Sequence, residues 1–234
     1  MEQSSDKFAI HEACREGKIS IVESLLNANP RLAKRRDDDE RLPIHWAVSY
    51  NQRAIVELLV QAKDFDVDAQ DEIGWTSLMM ASSLKEGEDI VELLLKKGAD
   101  PKMTTIHFAA SKNNLDTARK LIAAGATSRI KDKRQQTPLH RAAAIGSIPM
   151  MKLLMENKSP LDATDLDGMT AWHHAVCEGH GDAAMVLLKA GADAVKRTKD
   201  GVLAIDLAPD EKVKSFIVKS AEMEGIEVYP PSEE

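Results

Sequence analysis

The most reactive side chains in this chain belong to seven histidines and two cysteines. Neutral imidazole and thiolate are zinc ligands, and an imidazole beside a thiol or carboxylate is common apparatus for proton transfer. Five of the histidines, His11, His45, His107, His140 and His173, occupy one recurring motif. They are therefore spaced along the chain, where each can bridge adjacent loops by hydrogen bonds. His174 and His180 flank Cys177, but neither Cys-x-x-Cys nor His-Glu-x-x-His accompanies them. Cys14, in His11-Glu12-Ala13-Cys14, sits beside an Ala-rich turn that also recurs, which suits packing and not nucleophilic attack. Gly-x-Gly-x-x-Gly, Walker and Gly-x-Ser-x-Gly motifs are missing. The expectation is a protein that is not an enzyme, has no metal or cofactor, and keeps both cysteines as free thiols.

The motif that carries the histidines must also position them. It reads Phe8-Ala9-Ile10-His11, Leu42-Pro43-Ile44-His45, Thr76-Ser77-Leu78-Met79, Thr104-Thr105-Ile106-His107, Thr137-Pro138-Leu139-His140 and Thr170-Ala171-Trp172-His173, with a degenerate Leu203-Ala204-Ile205-Asp206. The fourth positions fall at 11, 45, 79, 107, 140, 173 and 206, a spacing near 33 except for one interval of 28. An Ala-rich stretch follows each copy, then an apolar run such as Ile55-Val56 with Leu58-Leu59, and Gly-Ala closes three units. From about residue 5 to 220 the chain resembles ankyrin-repeat proteins, whose period and Thr-Pro-Leu-His core these are. The fold class expected is all-α: an ankyrin-repeat solenoid of seven helix-turn-helix repeats with β-turn fingers and capping terminal repeats. About fourteen helices in antiparallel pairs and no extended sheet should result. Thr caps the first helix of a unit and Pro fits its first turn. Small Ala residues let inner helices approach closely, Leu and Ile give the outer helix one buried stripe, and Gly ends it in the left-handed region. One domain is expected over residues 1–224, with 225–234 as a flexible tail.

The short interval lies after Gly98-Ala99-Asp100: nine residues separate Gly98 from His107, against fifteen from Gly125 to His140. About half a finger is missing. A deletion in a tolerant loop is the simplest account; a gap in the finger row that admits a partner is the other. The last unit lacks Thr, Pro and His and opens a polar helix at Pro209-Asp210-Glu211-Lys212, as a C-terminal cap requires.

Composition narrows the function further. A net charge of −7 argues against nucleic acid as a partner, which wants a basic face. No run approaches a membrane span, and Met1-Glu2-Gln3-Ser4-Ser5-Asp6 lacks the features of a signal peptide. Two cysteines make no disulfide framework, so a reducing compartment is expected, the cytoplasm, with the nucleus left open as a second location, and the protein is expected to be monomeric when free.

A protein-binding surface is the better functional expectation. In this architecture the finger residues and those following the Ala pair line the concave face. In the second unit these include Asp38, Asp39, Arg41, Trp46, Ser49 and Tyr50; in the third, Glu72 and Trp75. Met103, Lys112, Arg141, Ile145 and Glu178 follow in later units. The N-terminal part is acidic and the centre basic, from Lys112, Lys131, Lys133, Arg134 and Arg141, which favours a partner with complementary patches of both signs. Trp75 and Tyr50 are read as exposed aromatics near an arginine, a combination enriched at interface hot spots.

Several stretches go beyond the general repeat. Arg41-Leu42-Pro43-Ile44-His45-Trp46, Gly74-Trp75-Thr76, Ala109-Ala110-Ser111-Lys112-Asn113, His140-Arg141-Ala142-Ala143-Ala144 and Glu178-Gly179-His180-Gly181-Asp182 are similar to the gankyrin family, particularly its fungal members. That resemblance implies a non-catalytic chaperone of 26S proteasome regulatory-particle assembly, whose concave face holds the C-terminal domain of an ATPase subunit. It also implies that Arg41 and Lys112 meet an acidic segment of that domain. The Leu-x-Cys-x-Glu motif of gankyrin is not matched, since Ala175-Val176-Cys177-Glu178-Gly179 stands there. A general ankyrin scaffold for an unrelated signalling or transcription partner is the alternative.

Overall fold

A computed structural model describes residues 8–102 and 105–230. Six inner helices follow the motif copies: α1 (Ala9–Arg15), α3 (Pro43–Ser49), α5 (Ser77–Ser83), α7 (Thr105–Ser111), α9 (Pro138–Ala144) and α11 (Ala171–Cys177). Each leads through a three-residue turn, or the four residues Leu84–Gly87 after α5, to an outer helix. The outer helices are α2 (Ile19–Ala28), α4 (Arg53–Leu59), α6 (Glu88–Lys96), α8 (Leu115–Ala123), α10 (Ile148–Glu156) and α12 (Gly181–Lys189). In the seventh unit a 3-10 turn, Ala204–Leu207, replaces the inner helix, and α13 (Glu211–Met223) closes the stack. Among the described residues the expected fourteen helices are thirteen α-helices and that turn, with a further 3-10 turn at Pro30–Lys34. Among the described residues the only β pairing is two isolated bridges, Gln70 with Thr76 and Arg197 with Leu203, inside fingers.

Each inner helix packs on the next, α1 on α3 through to α11 on the 3-10 turn, and the outer helices α2 to α10 form a second row. The third motif position is the centre of every layer: Ile10, Ile44, Leu78, Ile106, Leu139, Trp172 and Ile205 are all at most 2% exposed. Ala47, Ala81, Ala109, Ala110, Ala142, Ala143 and Ala175 are fully buried, so neighbouring backbones meet with no large side chain between them. Gly125 ends α8 at φ +103, a conformation a side chain would strain. Of the expected tail, residues 225–230 are described: Ile226 and Val228 pack onto the core, and Tyr229 lies under the Lys214 ammonium.

The motif histidines serve as hydrogen-bonded staples. The backbone amides of Leu42, Thr137 and Thr170 donate to Nδ1 of His45, His140 and His173 at 3.0, 3.0 and 3.2 Å. An amide can only donate, so the ring proton sits on Nε2. His45, His107 and His140 then use Nε2 to donate to carbonyls of the next finger: Ala69, Gln136 and Met169, at 3.1, 2.8 and 3.1 Å. Burial, assisted by the neighbouring His174, pushes His140 and His173 down to about 4.

Candidate protein-binding face

Eight residues before the fourth motif position of units two, three, five and six stands a finger carboxylate: Asp37, Asp71, Asp132 and Asp165. One oxygen of each accepts two backbone amides of its own finger, as Asp132 does from Arg134 and Gln136 at 2.9 Å each. In the seventh finger the Thr198 hydroxyl takes one such amide, from Val202 at 3.2 Å. The other oxygen is left to orient a side chain on the concave face. Asp37 accepts from the Trp46 indole at 2.6 Å, Asp132 from Arg141 at 2.6 Å, and Asp165 from His174 at 2.9 Å. In the third unit the corresponding inner-helix residue is Met80, which cannot donate. Asp71 there takes Arg41 of the preceding finger instead, Nε to Oδ2 at 3.2 Å. Gln136 reaches forward to Asp165 in the same way, at 3.1 Å. Burial alone would push the Asp165 carboxyl up, but its bonds from His174, Gln136 and two amides hold it at about 2.

Arg41 is therefore held from two sides. Asp71, whose side chain is wholly buried, fixes Nε, and the guanidinium carbon lies 5.6 Å from the centroid of the Trp46 ring. Its terminal nitrogens make no hydrogen bond among the described residues. Tyr50 stacks on Trp46, 6.2 Å between centroids and 19° between planes, and is 52% exposed. Beside this stack a cleft of about 480 Å³ is lined by Phe8, His11, Glu12, Arg15, Asp37, Asp38, Asp39 and Trp46. Asp38, Asp39 and Glu72 are exposed finger residues, and Ser49 is half-buried with its hydroxyl 3.4 Å from the Met80 sulfur.

Farther along, the sequence expectations need correcting. Trp75 is no exposed aromatic: it is half-buried against Phe108, with centroids 4.4 Å apart. Arg141 is neutralised by Asp132, Arg134 is 3.6 Å from Asp167, and Lys131 donates to the Thr164 carbonyl. The basic centre is thereby reduced mainly to Lys112 and Lys133, exposed and without an ion pair among the described residues. Lys112 follows the last residue of α7, Ile145 is 40% exposed at the end of α9, and Glu178 is exposed at the end of α11. These three follow the inner helices two, three and four units beyond that of Arg41. Met103 lies outside the described residues.

Sequence reasoning passed over Asp37, Asp71, Asp132, Asp165, Phe108 and His174. Their fixed offsets from the fourth motif position, minus eight for the carboxylates and plus one for Phe108 and His174, were the available signal. Cys14 is buried, with its thiol pushed up by burial to about 12, and Cys177 is exposed; both are free. Among the described residues no group of three or more His, Cys, Asp or Glu could hold a metal ion. Nor is any helix of the described residues long and apolar enough to cross a membrane.

A family model described as ankyrin repeats (3 copies) matches residues 4–105 and again 106–198. The chain belongs to the ankyrin-repeat family. A "Probable 26S proteasome regulatory subunit p28" of Saccharomyces cerevisiae is 36% identical over 91% of this chain and 98% of its own length, the gankyrin-like relation expected from the sequence. An ankyrin repeat-containing protein of Schizosaccharomyces pombe is 34% identical over 94% of this chain and 97% of its own. The crystal structure of the human ASB11 ankyrin repeat domain superposes with a TM-score of 0.81 at 21% identity, covering 90% of this chain and 96% of that one. At that identity the likeness speaks for the ankyrin fold alone.

Proposed function

We propose that this ankyrin-repeat chain is a non-catalytic chaperone of 26S proteasome regulatory-particle assembly that holds the C-terminal domain of an ATPase subunit against its concave face. The observation that carries the reading is the near end-to-end relation to the yeast protein named as a probable proteasome regulatory subunit, over 98% of that protein's length. Relatives that share the ankyrin units alone, such as a plant ubiquitin ligase matched over 9% of its length, have no such correspondence. The face supplies suitable chemistry. Arg41 presents two unused guanidinium nitrogens to a carboxylate, Lys112 adds a mobile cation, and Asp38, Asp39 and Glu72 offer the opposite sign to basic side chains. Work in the cytoplasm and nucleus accords with such a partner.

The test is titration of the ATPase C-terminal domain against wild type and the double variant Arg41→Glu/Lys112→Glu. Reversal should weaken binding by about 2–5 kcal/mol where the partner charges are buried, and the wild type alone should lose affinity steeply with salt. Unchanged affinity with the helical spectrum intact would remove both residues from the site. Co-purification that returns no proteasome ATPase would remove the function.

A further inference from the structure

The fingers of this protein form a row sewn by one backbone hydrogen bond at each junction. Glu72 N–H donates to the Asp39 carbonyl at 3.1 Å, Leu166 to Arg134 at 3.1 Å, and Lys199 to Asp167 at 3.0 Å. The register is constant: the residue after the finger carboxylate, or after Thr198, donates to the second residue beyond it in the preceding finger. By that register the Ile73 carbonyl should accept from a fourth finger, and the Lys133 amide should donate to it. The fourth unit has no such finger, being six residues shorter than the fifth between its Gly and its His. Neither the Ile73 carbonyl nor the Lys133 amide has a hydrogen-bond partner among the described residues.

The side chains that would have touched the missing finger have changed to match. Met79 stands where a motif histidine would have bonded a carbonyl of that finger. Phe108 occupies the place of Trp46, Arg141 and His174, the donors to a finger carboxylate; the fourth unit, six residues short, has no carboxylate at that place. Phe108 lies against Trp75 instead, and Ile73 stands 65% exposed on the open edge. Lys133 of the fifth finger and Lys102 of the shortened connection are exposed and without an ion pair among the described residues.

We infer that the open place between the third and fifth fingers receives an extended segment of the bound partner, one bearing apolar and acidic side chains, which stands in for the missing finger. The inference rests on the function proposed above, since the place is continuous with the concave face. Extended chain meets both open backbone groups, as strand addition does at a sheet edge. An apolar side chain covers Ile73 and the Trp75–Phe108 pair, and a carboxylate answers Lys102 and Lys133. Restoring the finger should therefore expel the segment. A copy of Ile130–Gln135 inserted after Lys102 supplies the six residues in register.

The experiment measures affinity for the ATPase C-terminal domain, with amide exchange across residues 131–137, for wild type, the insertion variant and Ile73→Asp. The expected result is binding weakened at least tenfold by the insertion and about fivefold by Ile73→Asp, helical spectra unchanged, and exchange at Lys133 slowed at least tenfold in the wild-type complex. Should the insertion fail to fold, Ile73→Asp and the Lys133 exchange decide alone. Wild type that does not bind the domain removes the proposed function and this inference with it. Wild-type binding that the variants leave within twofold, or a Lys133 amide equally exposed in the complex, overturns the inference and leaves the function standing. Lys133 protected in the free protein, and released on dilution, assigns the place to a second copy and overturns it too.

Discussion

Lowering the pH from 7.5 to 5 should strip stability from this fold through its motif histidines. His140 and His173 are fully buried and each uses Nδ1 to accept a backbone amide, so a second ring proton must displace that bond. The folded forms are held at about 4, against an ordinary 6.5 when unfolded. Between these values the unfolded chain binds more protons than the folded one, so stability falls as pH falls through the window and levels off below it. At pH 5 an unfolded imidazole is almost fully protonated and a folded one about one-tenth so, which withdraws about 2 kcal/mol per histidine relative to pH 7.5. Together the pair should lose about 4 kcal/mol. His11 and His45, also lowered by burial, act in the same direction. Asp165, which faces His140 through His174, stays ionised at about 2 and does not oppose the trend. Urea unfolding followed by circular dichroism at both pH values measures the difference, and His140→Gln should flatten the slope by about half. Equal stability at pH 7.5 and 5, or an unaltered slope in the variant, would refute the histidine argument.

Three other outcomes follow from the geometry. Trp172→Ala, which empties the centre of the sixth layer, should cost about 3–5 kcal/mol in urea unfolding. Gly168→Ala should lower the melting temperature well beyond Gly201→Ala: both have φ +78, but an added Cβ at 168 would lie 2.6 Å from the Lys199 nitrogen, whereas at 201 it meets nothing within 4 Å. A thiol reagent at neutral pH should label Cys177 in the native protein and reach Cys14 only on unfolding, as mass spectrometry of the modified peptides would record.

The repeat and its layers were legible because one period brings Ile10, Ile44, Leu78, Ile106, Leu139 and Trp172 to equivalent places. The seventh copy was recognisable at Ile205, yet its helix shrank to a 3-10 turn because Pro209 follows so soon. Arg41 and Lys112 could be singled out by type and place. What holds Arg41 could not, because Asp71 belongs to the next unit, a relation visible only when the units are stacked. Asp37 was hidden for another reason: in Asp37-Asp38-Asp39-Glu40 nothing in composition tells the carboxylate that binds backbone amides from those facing water. Trp75 misled because Phe108, which covers it, belongs to the next unit across an irregular interval.

The anchoring of Arg41 bears on how quickly and selectively a carboxylate can be bound. An arginine on an open surface samples many rotamers, and a ligand that fixes it gives up about 0.5–1.5 kcal/mol of its attraction to lost freedom. Here folding has already restricted the side chain: Nε is tied to Asp71, the plane rests on Trp46, and Trp46 is itself tied to Asp37. An arriving carboxylate meets a fork of fixed direction, so angle as well as charge decides whether both terminal nitrogens engage. Anions that approach from other directions gain only the screened Coulomb attraction of a half-covered cation. The finger carboxylates thus turn a flexible charge into a directional one.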